Sequence, residues 1–288
     1  GTLNWELETI HNRKLDEKYA FRIDRRPLAN PQAGKIALQS GAVDMIVSDW
    51  VWVSRQRNEG AHYTFSPYST TSGSLIVTPR SRINALEDLP GKRIGIAGGE
   101  LDKNWLLLIA LAQKTKKIDL DSTVEKIYAA PPLLNHELVQ NNLDAVLTYW
   151  HYAARLETLG YREILNGDSI LAGLGIDQAL PTLGYVFRDE WAGNHRQLIR
   201  NFLQATREAR DSLCESDPAW AAIGPLTQAE DPKTQNRFRA KYCAGRIKQW
   251  NDRHKAMAAT VFGLLHEVAG PRLTGPSPVL AEGTFWND

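Results

Sequence analysis

Two glycines, Gly98 and Gly99, separate a short apolar run, Arg93 to Ala97, from a strongly apolar segment, Asn104 to Ala112, and Lys103 stands just ahead of that segment. The run follows a Pro90-Gly91 turn, and the glycines allow a sharp reversal, so the spacing predicts a buried strand that delivers the chain to a helix N-terminus. Unpaired backbone N–H groups and the positive end of the helix dipole gather there, which stabilises an anionic or carbonyl-bearing ligand. A lysine in the first helical turn opposes the dipole by roughly a few tenths of a kcal/mol. A ligand carboxylate at Lys103 would offset that cost, and a partly desolvated amine with a lowered pKa could add to a carbonyl to give a hemiaminal or imine. The plainer reading of Lys103 is a solvated surface lysine. Asp102 and Glu100 would oppose a highly charged anion unless they point away. The glycine spacing is neither G-x-G-x-x-G nor a P-loop, and no Lys-Ser/Thr pair follows it, so a nucleotide cofactor is not expected.

The elements that must position these residues alternate. Leu3 to Ile10 reads as a strand, a polar helical turn follows, and Phe21 to Asp24 is a second strand candidate. A helix begins near Pro31, shows an apolar face at Ile36 to Leu38 and closes at Gly41. Val43 to Val47 is then a buried strand, Val51 to Asn58 a helix, and Tyr63 to Phe65 and Ser74 to Val77 are strands. A second unit starts at Ile83, with strands Ile94 to Ala97, Val124 to Tyr128 and Leu143 to Thr148 alternating with helices Asn104 to Lys114 and Leu133 to Gln140. The pattern is that of an α/β protein with largely parallel sheets covered on both faces. Ser74 to Val77 and Leu183 to Phe187 are the candidate crossings between two sheets. Arg196 to Cys214 carries a helical apolar stripe, and the helical region continues to Gly270, broken at Asp217-Pro218, Gly224-Pro225 and Asp231-Pro232. The Gly- and Pro-rich tail is expected to dock through Phe285-Trp286.

Composition narrows the partners. The 288 residues suit two ordinary domains, and 34 Lys+Arg against 33 Asp+Glu give no basic field for nucleic acid or an anionic membrane surface. No apolar run is long enough to span a membrane. The sequence opens Gly1-Thr2 and runs directly into structured sequence, as a mature, processed chain would. Cys214 and Cys243 are the only cysteines; a secreted setting would let them pair, and two buried thiols are the alternative. No C-x-x-C, H-x-x-x-H or H-E-x-x-H spacing predicts a metal site.

The opening Leu3-Asn4-Trp5-Glu6, the Gly41-Ala42-Val43-Asp44 segment and the run from Ala85 to Ile94 stand in a definite order. Gly99 with Asn104, Asn142-Leu143-Asp144-Ala145 leading to Tyr149-Trp150, and Thr182 to Phe187 continue it. In order and spacing they resemble the periplasmic solute-binding proteins of ABC importers, in the branch serving alkanesulfonates, taurine and thiamine pyrimidine precursors. The resemblance implies a type II two-lobe fold: two mixed sheets flanked by helices and joined by two hinge strands, closing on a ligand in the cleft. Residues 1–76 and 186–288 would form lobe 1 and residues 77–185 lobe 2. It also implies a monomer in the bacterial periplasm, no membrane insertion and a permease partner in the inner membrane.

In open α/β sheets, ligands sit beyond the carboxyl ends of the strands. The expected ligand contacts are therefore Trp5 and Glu6; Ser48, Asp49, Trp50 and Trp52; Ser72, Gly73 and Ser74; Gly98, Gly99, Lys103, Asn104 and Trp105; and Tyr149, Trp150 and Tyr152. Nine tryptophans are present, and their clustering at strand ends points to a flat, unsaturated ligand stacking on aromatic walls, although a single Trp is more often core. With Lys103 and the basic candidates Arg13, Lys14, Arg55 and Arg155, this fits a planar polycarboxylate. The sequence looks similar to the binding proteins for pyrroloquinoline quinone in methanol-oxidising bacteria, a resemblance that makes this quinone (PQQ) the expected bound ligand and Lys103 the candidate for a covalent adduct. A thiamine-type pyrimidine, with Glu6, Asp49 and Glu100 accepting from amino groups, and an alkanesulfonate are the alternatives. An enzyme using Asp49, Glu100 and His151 as acid and base is less favoured, since no nucleophile elbow or paired-carboxylate motif accompanies them.

Overall fold

Leu3, Leu7 and Ile10 recur at helical spacing, and the chain opens with a helix instead of the expected strand. In the computed structural model, which describes residues 2–229 and 231–287, α1 (Leu3–Asn12) buries Trp5, Glu6, Thr9 and Ile10 along one face. A short α2 (Leu15–Lys18) follows. Phe21 and Ile23, expected in a strand, lie in irregular chain packed against Ile10, Leu15, Ala205 and Ala209. α3 (Pro31–Gln39) starts where Pro31 predicts, with the Asn30 side chain accepting from the Ala33 amide at 2.9 Å. β1 (Met45–Ser48), α4 (Trp50–Asn58) and β2 (Tyr63–Ser69) complete the first segment of unit 1.

The chain enters unit 2 at Thr70. There follow β3 (Ser74–Val77), β4 (Arg93–Ala97), α5 (Lys103–Lys116), α6 (Leu120–Thr123), β5 (Glu125–Ala129), α7 (Pro131–Val139), β6 (Ala145–Thr148), α8 (Trp150–Thr158), β7 (Arg162–Asn166) and α9 (Gly167–Gly173). The sheet order is β5-β4-β6-β3-β7. β4 runs parallel to both β5 and β6, and β3 runs antiparallel to both β6 and β7, so this sheet is mixed. Ile76, Ala97, Leu134, Leu138, Val146, Ala153 and Leu156 form its core between the strands, α7 and α8.

Unit 1 resumes with β8 (Leu183–Arg188), which lies between β1 and β2 and is antiparallel to both. The unit 1 sheet is therefore antiparallel throughout, a correction to the parallel expectation: the return strand supplies its centre, and no opening strand joins it. α10 (Asp189–Asn194) and α11 (Arg196–Glu215) follow, and α11 packs on α1. α12 (Asp217–Ala222), α13 (Gly224–Thr227) and α14 (Pro232–Ala244) each carry a proline in the first turn, so the three breaks are helix starts. α15 (Asp252–Ala269) and α16 (Pro271–Thr274) belong to unit 2, where α15 packs on α5. The tail returns to unit 1: Phe65 N donates to Thr284 O and Trp286 N to Phe65 O, both at 2.8 Å, which pairs Phe285 with the edge of β2.

The boundaries thus differ from those expected at 76/77 and 185/186. Residues 70–76 belong to unit 2, because all four residues of β3 are buried and pair there, and so do residues 249–281. The chain passes between units after Ser69, Thr182, Lys248 and Ala281, and neither β3 nor β8 is a crossing strand. Cys214 at the end of α11 and Cys243 at the end of α14 form a disulfide across a sequence separation of 29. Replacing both by serine is expected to lower the unfolding free energy by about 3 kcal/mol through the freed chain entropy. A urea midpoint equal in wild type and double variant would show that the cross-link contributes nothing.

Candidate functional site

In unit 2, β4 and β6 are parallel neighbours, so their carboxyl ends open at one edge of the sheet. Gly98 and Gly99 follow β4 at φ +97° and +84°, the left-handed region that glycine enters without strain. The reversal ends at Asp102, the N-cap of α5, whose Oδ1 accepts from the amides of Asn104 at 3.0 Å and Trp105 at 3.1 Å. Leu106 N donates to Asp102 O at 3.0 Å. The amides expected to meet an anion are therefore held by the protein's own carboxylate. A Cβ on Gly98 would stand 2.8 Å from Asp102 Oδ2 and 3.1 Å from the Tyr149 hydroxyl, so the three residues meet at one corner. Burial raises the Asp102 carboxyl above its ordinary value, with the Lys103 charge acting the other way. Burial, and then the Asp102 charge, raises the Tyr149 hydroxyl.

A second corner lies beside it. A Cβ on Gly73 would be 2.7 Å from Thr148 O and 3.2 Å from Asn104 Nδ2, and one on Gly167 would be 1.9 Å from Ser72 Oγ. Ser72, Gly73 and Asn104 thus converge with Thr148 and Gly167. Ser74 Oγ donates to Glu163 Oε2 at 2.7 Å, and Thr148, opposite Ser74 in the register, has a buried hydroxyl with no hydrogen-bond partner. Tyr149 begins α8 without a side-chain cap and is half-exposed. His151 follows, its Nδ1 buried without a partner, and burial lowers its pKa to about 4, so the ring is neutral at pH 7. Tyr152 is half-buried, its ring centroid 4.4 Å from that of His151.

Unit 1 presents its own polar group at the end of β1. Ser48 is buried and pairs with Gly184. Asp49 caps α4 by accepting from Trp52 N at 2.9 Å, and its Oδ2 lies 4.0 Å from Lys35 Nζ. Lys35 also stands 5.1 Å from the Trp52 ring centroid. Sequence reasoning missed Lys35 and Gly167, and took Asp102 only as a charge opposing an anion. Lys35 is brought to Asp49 from α3 by folding alone, whereas Asp102 sat in plain view as an Asp two residues before an apolar helix and should have been read as a cap.

The aromatic wall is thinner than expected. Trp5, Trp50, Trp105 and Trp150 are 3%, 5%, 1% and 8% exposed, so they are core residues. Each sits at or near the start of a helix and packs inward with it; among the expected contacts only Trp52, Tyr149 and Tyr152 show partly open rings. Of the basic candidates, Lys14 pairs with Glu17 at 3.8 Å and Arg55 with Glu59 at 2.9 Å. Of the acid–base candidates, Asp49 is held by its cap and Glu100 by Arg272. Among the described residues, no group of three or more His, Cys, Asp and Glu could hold a metal ion.

The sequence profile of the NMT1/THI5-like family matches residues 25–219. The chain belongs to the NMT1/THI5-like family. No curated protein sequence matches it. Among solved structures, the alkanesulfonate-binding protein SsuA of Xanthomonas axonopodis pv. citri, bound to MOPS, is similar at a TM-score of 0.74 and 18% identity, over 98% of this chain and 94% of that one. The periplasmic aliphatic sulphonate-binding protein SsuA of Escherichia coli gives 0.76 and 18%, over 98% and 88%. A variant of DSZB in complex with biphenyl-2-sulfinic acid gives 0.59 and 14%, over 95% and 94%. At these identities the likeness is one of fold: two mixed α/β units with flanking helices. No helix among the described residues is long and apolar enough to cross a membrane.

The NMT1/THI5-like match contains every expected contact except Trp5 and Glu6, and the structure gives these two a different role. Trp5 packs on Trp220, Phe238 and Tyr242, and its Nε1 donates to Leu226 O at 3.2 Å. Glu6 is fully buried and accepts from Arg210 Nε at 2.8 Å, Arg210 Nη2 at 3.2 Å, Tyr185 at 3.1 Å and Tyr242 at 2.5 Å. Burial, and then the Glu6 charge, pushes both tyrosine hydroxyls well up, so they remain donors. The expectation of a ligand contact failed because the opening segment is a core helix. Glu6→Ala leaves Arg210 buried and uncompensated, and is expected to cost about 3–5 kcal/mol of stability. Chemical denaturation checks this, and a loss under about 1 kcal/mol would mean that water replaces the pair.

Proposed function

We propose that this NMT1/THI5-like chain is the solute-binding component of an ABC importer, a periplasmic monomer that captures a small molecule by hinge closure and passes it to a membrane permease. The observation that carries this reading is the family match on a fold shared with two sulfonate-binding SsuA proteins. Polar groups at the strand ends of each unit support it, and the Cys214–Cys243 disulfide suits an oxidising compartment. No catalytic step is proposed, since the carboxylates that could act as acid and base are committed to a cap and an ion pair.

For the ligand we propose a planar aromatic anion, with PQQ as the specific candidate. Within unit 2, Lys103 supplies positive charge and Tyr149 and Tyr152 supply partly open ring faces; within unit 1, Lys35 stands beside the partly open Trp52 ring. Addition of the Lys103 amine to a quinone carbonyl would form a C–N bond as the amine proton passes to oxygen, giving a hemiaminal; loss of water would leave an imine. The two SsuA structures favour a second reading, an alkanesulfonate. The DSZB complex offers a flat aromatic sulfinate on the same fold.

Tryptophan fluorescence and thermal-shift titrations with PQQ, an aminopyrimidine and alkanesulfonates, repeated with Lys103→Ala, test the proposal. PQQ is expected to saturate the protein at one equivalent, with a change in quinone absorption that disappears in the variant. Saturable binding of a sulfonate alone would keep the importer reading and discard the quinone; turnover of any of these solutes would discard the binder.

A further inference from the structure

α11 buries one face against α1 and leaves another open. Along the open face Arg207, Glu208, Asp211, Ser212 and Glu215 recur at three- and four-residue spacing and, with Arg13 from the turn between α1 and α2, line a cavity of about 490 Å3 wholly within unit 1. A cavity of that size suits a small ligand. Its carboxylates are already engaged. Glu208 Oε2 accepts from Lys18 Nζ at 2.6 Å and from the Tyr19 hydroxyl at 2.7 Å, and Arg246 Nη1 donates to Asp211 Oδ1 at 3.1 Å and to Glu215 Oε1 at 3.2 Å. The arginines are not. Among the described residues neither the Arg13 nor the Arg207 guanidinium has a hydrogen bond or an ion pair, and Arg13 acts on Glu208 only through space. The half-buried Ser212 hydroxyl has no partner either. The turn that carries Arg13 is also held against its own preference: Lys14 and Ala20, both at φ +53°, bracket α2 in the left-handed region without a glycine. Packing of Leu15 with Ile10, Ala205 and Ala209 fixes that turn over α11.

We infer that this cavity is an oxyanion site, separate from the strand ends, in which Arg13 and Arg207 donate to one carboxylate or phosphate group and the Ser212 hydroxyl is a third donor. A guanidinium presents its N–H groups as a planar fork that matches two oxygens of such a group. Four cations, Arg13, Lys18, Arg207 and Arg246, meet three carboxylates there, so the site takes a single small anionic group and disfavours a polyanion. The group comes either free, as inorganic phosphate, or on an acidic side chain of a partner protein. The inference stands independently of the solute-binding reading.

Isothermal titration at low ionic strength with inorganic phosphate and with acetyl-Gly-Glu-Gly-amide tests it, on wild type, Arg13→Gln and Arg207→Gln. Arg80→Gln, which removes an exposed arginine of unit 2, controls for net charge, and Lys103→Ala controls for binding at the strand ends. One probe should saturate wild type at one equivalent; each glutamine variant at the cavity should weaken it about 3- to 10-fold, the range left to exposed charged contacts after solvent screening, and both controls should leave it unchanged. Saturation by phosphate assigns the free ion, and saturation by the peptide alone assigns a partner's side chain. Should a glutamine variant fold poorly, Arg207→Lys keeps the charge and loses the fork, and an affinity below wild type is expected of it. No saturable binding of either probe, an equal loss in Arg80→Gln, or a loss in Lys103→Ala with the cavity variants unchanged overturns the inference and leaves the importer reading standing.

Discussion

A helix that begins at the end of a strand starts with amides that no turn of its own can satisfy. Both units face this constraint and meet it alike. β1 passes through Asp49 into α4, and β4 passes through Asp102 into α5, each aspartate accepting from amides in the first turn. Much of the local architecture follows. The carboxylate fixes where the helix starts, the start places Trp50 and Trp105 on the inward face, and those rings are then core rather than lining. The same device fixes the electrostatics, because a strand end that might have been a bare anion site carries a negative charge instead.

Unit 1 depends on a second buried charge. Arg210 lies within the buried face of α11, where an apolar residue would have matched the pattern, and it is tolerated because Glu6 of α1 meets it with two oxygens. Tyr185 from β8 and Tyr242 from α14 donate to the same carboxylate, so one ion pair joins the first helix, the central strand and two C-terminal helices. Two greasy side chains could hold these elements with equal or greater stability. An ion pair with four donor contacts, however, fixes orientation: α1 cannot rotate on α11 without exposing one charge or the other.

The elements most legible in the sequence were those whose period and punctuation agreed. Pro31, the Gly98-Gly99 reversal and the three Asp-Pro or Gly-Pro breaks marked real boundaries, and Ser74–Val77 was read to the residue. The opening segment was misread because Leu3, Leu7 and Ile10 fit a helical stripe, while β-branched and aromatic neighbours mimic a strand. β7 was missed because Arg162, Glu163 and Asn166 give this edge strand no apolar run. The sheet of unit 1 was misassigned because pairing partners far apart in sequence, β1 with β8 and β2 with β8, leave no local signal. Membership of residues 249–281 in unit 2 was hidden for the same reason: α15 finds α5 across about half of the chain.

The site shows the same division between local and tertiary information. Strand ends, glycines and Lys103 can be placed from sequence because they are punctuated locally, but whether a strand-end side chain faces ligand or core depends on where the following helix packs. That distinction separates α5 from α8. α5 starts behind the Asp102 carboxylate, whereas α8 starts behind Tyr149 with no side-chain cap, next to the unpartnered hydroxyl of Thr148. Unit 2 therefore places an acceptor and donors at the ends of neighbouring strands.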